Sequence, residues 1–293
     1  MSQFPDIDGF WDFDDLPSTE VKIKDLVESE TASGVSRSVE LITQLARVQG
    51  LQRKISEARA TLLLAKDPIT KHAGDTNARA EIRFSIEQGR LFGLSMTPAQ
   101  SLAYFEKAWN EATKANEVFF SIEAAVMLSI SRPPKHQNEW LQKALHLAES
   151  TVDINAKLWL PQLYVMNGWH SFDFRKFDEA LDNFQKALDQ PQSIQSPIKR
   201  FAVRWSFART LRALNRFQEA LDIQRELKAE MQTVGKVNGH VFLEMAECFQ
   251  LLQNLDEAKV HFEQAYKELS LNGWYSDNKS SELSRIQRLS KKN

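Results

Sequence analysis

The chain has 293 residues, a formal net charge of −2 and a pI near 6.3, with 42% apolar residues, 10 glycines and 9 prolines. The apolar share can bury a core and excludes global disorder. Scarce Gly and Pro argue against a hairpin-rich sandwich or barrel, and the balanced charge leaves no general attraction to polyanions. The one cysteine, Cys248, excludes an intrachain disulfide and fits a reducing compartment. No apolar run reaches the roughly 18 residues of a membrane span, and the opening MSQFPDIDGFWDFDD has neither the basic nor the apolar part of a signal peptide, so the expected location is cytoplasmic.

In residues 1–17 aromatics and acids alternate without a helical period. Phe10, Trp11 and Phe13 stand among Asp12, Asp14 and Asp15. Two readings stay open: a cap over the first helical hairpin, or a linear docking segment for a basic, aromatic surface. Ser18–Glu30 spaces Val21, Ile23, Leu26 and Val27 as one helix, and Thr31–Gly34 breaks it.

Six helix-turn-helix segments follow, each placing small and large apolar residues in one order. The first carries Ala46, then Ala58, Leu62 and Ala65. In the second come Gly89, Ser101, Phe105 and Ala108, with Thr97-Pro98 as a helix start. The third has Ala125, Leu141 and Ala144, broken by Pro133-Pro134, and puts Gln137 where a small residue is expected. The fourth, residues 163–191, is the clearest: Gly168 and Ala180 allow close helix approach, Phe184 fills the gap, Ala187 follows one turn on, and Pro191 ends the helix. Its acids Asp178 and Glu179 suit the positive end of the helix dipole. The fifth has Ala208, Ala220 and Leu227, and the sixth has Ala246, Ala258, Phe262 and Ala265. Residues 279–293 read as a final polar helix fading into a basic tail with Lys291 and Lys292.

These six segments resemble tetratricopeptide repeats, although the second-helix positions 58, 101, 137, 180, 220 and 258 recur at 43, 36, 43, 40 and 38 residues instead of about 34. The layout is also similar to small bacterial cytoplasmic repeat proteins of unassigned activity. The resemblance implies an all-α fold, an α-solenoid of about six such repeats with capping segments at both ends. Residues 1–34 would form the acidic, aromatic tail and capping helix, 35–270 the superhelical domain, and 271–293 the closing helix and basic tail. It also implies a concave surface lined by the first helix of each repeat that holds a protein or peptide.

Helical spacing names that surface. It gives Arg47, Arg83 and Arg90 in the first two repeats, Gln162, Val165, Trp169 and Phe172 in the fourth, and Trp205, Arg209 and Arg212 in the fifth. The stretch Pro197–Arg216 holds six cations and no acid. Either Glu244 and Glu247 of the next repeat answer it, or an acidic ligand does. The two-carboxylate clamp of co-chaperone repeats is not matched, since its places hold Thr43, Arg47, Ile86 and Arg90, or Val165 and Trp169.

No catalytic chemistry is legible. The six histidines, His72 included, form no metal-ligand spacing, Cys248 has no assignable base, and phosphate-loop and nucleophile-elbow motifs are absent. The expectation is a protein that is not an enzyme, has no catalytic residues, binds neither metal nor cofactor, and uses its groove for acidic or aromatic segments of an unidentified protein or peptide. A regulatory sensor for a small peptide or nucleotide-like ligand is the alternative, and an unrecognised enzyme a further one. A near-neutral pI argues against nucleic acid. The oligomeric state is not legible.

Overall fold

A computed structural model describes residues 11–29, 34–71, 78–190 and 197–291. Phe10, the break at 31–33, His72, Pro191 and Lys292 lie outside them. Every regular element among the described residues is helical.

The chain divides into two compact units, Met1–Trp159 and Leu160–Asn293. The first holds α1 (Leu16–Ser29), α2 (Val35–Leu51), α3 (Ile55–Lys71), α4 (Ala78–Leu94), α5 (Pro98–Lys114), α6 (Val118–Ile130), α7 (Pro134–Ser150) and the short α8 (Ile154–Lys157). The second holds α9 (Leu160–Asp173), α10 (Phe177–Asp189), α11 (Pro197–Ala213), α12 (Phe217–Thr233), α13 (Gly239–Leu251), α14 (Leu255–Ser270), α15 (Gly273–Asn278) and α16 (Ser280–Lys291). Within each unit the helices pair as successive antiparallel hairpins, α2 with α3, α4 with α5 and α6 with α7, then α9 with α10, α11 with α12 and α13 with α14.

One packing rule runs through all six hairpins. Twelve residues separate Ala46 from Ala58, Gly89 from Ser101, Ala125 from Gln137, Gly168 from Ala180, Ala208 from Ala220 and Ala246 from Ala258. One turn later stand Leu62, Phe105, Leu141, Phe184, Gln224 and Phe262, all nearly or fully buried. The largest rings need the smallest partners. A Cβ on Gly168 would lie 2.7 Å from the Phe184 ring, and one on Gly89 would lie 2.5 Å from Phe105. Burying each such side chain stabilises by about 1.5–3 kcal/mol. Ser101 adds a direct tie, because its hydroxyl donates to the Gly89 carbonyl at 2.7 Å where the helices cross.

The turns share a second rule. Arg53, Met96, Arg175, Asn215 and Gln253 end the first helix of five hairpins, each with φ between 58° and 64°. At each, the next residue reaches back five positions; the Lys54 N–H meets the Gln49 carbonyl at 3.0 Å and the Lys176 N–H meets Ser171 at 2.9 Å. Such left-handed residues normally cost about 1–2 kcal/mol when they are not glycine, a cost offset by the carbonyls they satisfy. The third hairpin breaks the pattern for a plain reason: Pro133 stands where that second N–H is needed and has none. Here Gln137, the misfit of the sequence reading, closes the turn. Its side-chain amide donates to the Arg132 carbonyl at 2.9 Å, and the Ser129 hydroxyl donates to the Gln137 carbonyl at 3.0 Å.

Helix α1 packs on α2, burying Thr19 and Ile23, and α16 packs on α14 through the fully buried Ile286.

Candidate binding faces

The first helices of the hairpins carry the anticipated residues, and each unit builds a different surface from them. In the first unit, α2, α4 and α6 lie side by side. Their shared face is a charge network. Arg47 meets Glu123 at 3.4 Å, Arg90 meets Glu123 at 2.7 Å and also pairs with Glu87, and Arg83 meets Glu40 at 3.1 Å. Burial alone would raise the Glu123 carboxyl, yet Arg90 and Arg47 together hold it below its ordinary value. Burial pushes Glu87 up. Burial, and then its neighbour Arg90, push Arg47 down. Arg83 is only 3% exposed and its guanidinium sits 4.7 Å over the Phe120 ring, so it takes part in the packing between α4 and α6.

Trp11 lies at the edge of that face. Its indole N–H donates to Gln44 at 3.2 Å, the Arg47 guanidinium stands 5.1 Å from its ring, and the ring packs with Ile23, Leu45 and Val48. Phe13 stacks on it at 5.1 Å and stays exposed.

The second unit presents an aromatic chain. Phe172 lies 5.4 Å from Trp169, Trp169 6.2 Å from Trp205, Trp205 6.0 Å from His240, and His240 5.5 Å from Tyr275. The chain therefore runs from α9 across α11 and α13 to α15. Trp169, Phe172, Trp205 and His240 are half-buried, with their remaining area open; Val165 is half-buried and Gln162 exposed. The Trp205 indole N–H donates to the His240 carbonyl at 3.4 Å, fixing the ring. Beside the chain runs a polar row. Arg212 grips Glu244 through two nitrogens at 2.7 and 3.2 Å, Arg209 meets the same carboxylate at 3.2 Å, and Arg285 of α16 pairs with Glu247. The Arg209 guanidinium also stands 5.3 Å from the Trp205 ring and 5.8 Å from Phe172. Burial pulls the His240 imidazole below its ordinary value, and burial with a hydrogen bond to Glu282 pushes the Tyr275 phenol up.

The cation-rich helix α11 is thus answered from within the unit. Arg204 pairs with Glu226 at 2.6 Å and with Glu230, Arg209 and Arg212 share Glu244, and Arg216 pairs with Glu219 at 2.6 Å. Glu247 takes Arg285 instead of the α11 arginines.

Sequence spacing named the arginines and tryptophans but missed Glu40, Glu87 and Glu123 as partners of the arginines and Tyr275 as the end of the aromatic chain. A signal existed in the register. Two positions before the small residue of the first helix stand Glu87, Glu123 and Glu244, and one position after it stand Arg47, Arg90, Trp169 and Arg209.

Cys248 is fully buried, and burial pushes its thiol up to about 12, so it stays protonated at neutral pH. Among the described residues no group of three or more His, Cys, Asp or Glu side chains is placed to hold a metal, and no helix is long and apolar enough to cross a membrane.

The architecture matches solved repeat proteins. A Signal Transduction ATPase with Numerous Domains (STAND) protein with a tetratricopeptide repeat sensor, from Pyrococcus horikoshii, aligns with TM-score 0.70 at 13% identity, over 92% of this chain and 41% of that one. BtubC (BKLC) from P. vanneervenii aligns with TM-score 0.62 at 12% identity, over 76% of this chain and 93% of that one. NprR in complex with its cognate peptide NprX aligns with TM-score 0.51 at 13% identity, over 94% and 80% of the two chains. No protein-family model and no curated protein sequence matches the chain. The fold is that of an all-helical, tetratricopeptide-type repeat protein with about six repeats. The chain spans less than half the length of the STAND protein.

Proposed function

We propose that the chain is a non-catalytic binding protein, working in the cytoplasm, whose second unit holds an extended segment of another protein or peptide against the first-helix face. The aromatic chain from Phe172 to Tyr275 carries this reading. Aromatic side chains left half-open beside arginines supply large apolar area with little rotamer entropy to lose. The partner segment would lay an aromatic or apolar side chain on Trp169 and Trp205. It would place an acid near Arg209, whose single acceptor among the described residues, Glu244, leaves room for a second. Peptide binding by NprR gives a precedent on the same fold. Segments 1–34 and 271–293 act as end caps, consistent with Ile23 and Ile286 at zero exposure. The paired charges of the first unit, with Arg47 and Arg90 at its open edge, would contribute orientation more than affinity.

Peptide display against the purified chain tests the reading. Selected peptides should be rich in aromatic residues next to acids, and their affinity should fall at least about tenfold in Trp205→Ala. Selection of peptides that bind wild type and Trp205→Ala equally would refute it. A ligand that is a small molecule, as in a sensor, would instead yield no peptide consensus.

A further inference from the structure

An open cleft of about 430 Å³ lies in the second unit on the other side of α13 from the aromatic chain, between α12, α13 and α14, with Arg225, Gln232, Asn254 and Glu257 of its lining exposed. Its size is within the range of small-molecule sites. Met245 and Phe249 of α13 form an apolar floor, and Arg225 and Lys228 of α12 stand on one wall, facing His261, Asn254 and Glu257. The imidazole is the informative group. His261 is only 6% exposed, and its Nδ1 lies 2.9 Å from the Glu257 carbonyl, which only a ring N–H can satisfy. The Nδ1–H tautomer follows, leaving a lone pair on Nε2. That nitrogen is buried and has no hydrogen-bond partner among the described residues. A buried, unpartnered polar atom costs stability unless something bound there satisfies it.

The surroundings select the guest. The lining carries two cations against the one carboxylate of Glu257. Arg225 is held by Asp222 at 2.9 Å and stands 5.8 Å from the Phe249 ring, while Lys228 stands 5.3 Å from Phe242. From α13 the Phe242 and Phe249 rings lie 6.2 and 5.1 Å from the imidazole, Met245 lines the same cleft, and none of the three is charged. From α14 the Glu257 carboxylate comes within 3.6 Å of Nδ1, the nitrogen turned away from the unpartnered side. We propose that this cleft is a second binding site, separate from the aromatic chain, for a carboxylate carried on an aromatic body, and that His261 takes up one proton when the carboxylate enters.

The chemistry balances simply. Free, the neutral ring donates from Nδ1 and offers a lone pair at Nε2. A carboxylate has no proton to give that lone pair, so Nε2 accepts one from solvent and becomes a donor. The imidazolium then donates at both ends, to Glu257 and to the guest, with Lys228 as a second cation on the guest. Burial, together with Lys228 and Arg225, holds the empty imidazole below its ordinary value, so it is neutral at pH 7 and the uptake is a real change. The apolar body lies on Phe249 and Met245. A free small acid and the C-terminal carboxylate of a peptide ending in an aromatic residue share this chemistry.

The test uses the full chain, with benzoate as the free acid, acetyl-Gly-Phe as the peptide terminus and benzamide as the uncharged isostere. Binding is followed by the His261 imidazole resonances. Benzoate or acetyl-Gly-Phe should bind saturably, with the tighter of the two identifying the source, and benzamide should bind at least about tenfold more weakly. Above the imidazole's titration the carboxylate affinity should fall about tenfold per pH unit. Lys228→Gln, on a half-exposed side chain, should weaken binding without changing the melting temperature, and His261→Gln should abolish the pH dependence. Equal binding of benzoate and benzamide, no saturable binding of either acid, or a pH dependence that survives His261→Gln would each overturn the proposal. None of these outcomes touches the aromatic face, whose peptides are tested independently.

Discussion

Gln224 shows how a single residue can depart from the rule its neighbours obey. Five hairpins fill its position with Leu62, Phe105, Leu141, Phe184 or Phe262. Gln224 is equally buried, at zero exposure, but neither atom of its amide has a partner among the described residues. An unsatisfied buried polar group costs about 1–3 kcal/mol, and an apolar side chain of similar shape removes that cost. Gln224→Leu should therefore stabilise the protein by about 1–3 kcal/mol, read as a higher denaturant midpoint at unchanged slope. A lower midpoint would mean that the amide has a partner in solution that leucine cannot replace. At this scale the sequence was a good guide to size and a poor one to partners. The small residues and the rings between helices follow from period and volume alone. The carboxylates that hold Arg47, Arg90 and Arg209 do not, because a pair such as Arg90 and Glu123 depends on the register between two separate helices, which the period of either helix leaves open.

The hairpin is the element that repeats, and its energetics lie where two helices cross. Gly168→Ala tests this directly. Alanine is the better helix former by about 1 kcal/mol, but its Cβ would meet the Phe184 ring at 2.7 Å, and overpacking of a filled site costs about 1–3 kcal/mol. A net loss of up to about 2 kcal/mol is expected in the denaturant midpoint. A gain would show that Phe184 gives way and that the small-against-large fit is not what holds α9 to α10. Elements also explain the uneven repeat spacing. The helices α2, α3, α4 and α5 each run 17 residues, and α8 is inserted after the third hairpin, whereas α9 and α10 run 14 and 13 residues. The third hairpin was legible only as an irregularity, because Pro133-Pro134 announces a break but not that Gln137 mends it.

At the scale of the whole molecule, the all-helical repeat fold was legible because one packing rule is written six times, so each copy supports the others. The division into two units at Trp159 and Leu160 was not, since no shift in composition marks it. One global property follows from the buried imidazoles. Burial holds both His240 and His261 below their ordinary value. The unfolded chain, titrating near the usual value of about 6.5, then binds more protons than the folded one in the range just below it, so these groups lower stability as pH falls. Between about pH 7.5 and about 5.5 the wild type should lose stability relative to His261→Gln, measured as diverging melting temperatures. Parallel curves would show that the folded imidazole is not depressed. Such a loss would be partly reversed by benzoate if the α12–α14 cleft takes it.

The central claim is that a partner segment lies on the aromatic chain of the second unit. Backbone and indole resonance mapping of the full chain with a display-selected peptide tests it most directly. The account predicts that the largest shifts fall on the Trp169 and Trp205 indoles and on Arg209, His240 and Tyr275, all on the first-helix side. Shifts confined to second helices such as α10 and α12, with both indoles unmoved, would contradict it.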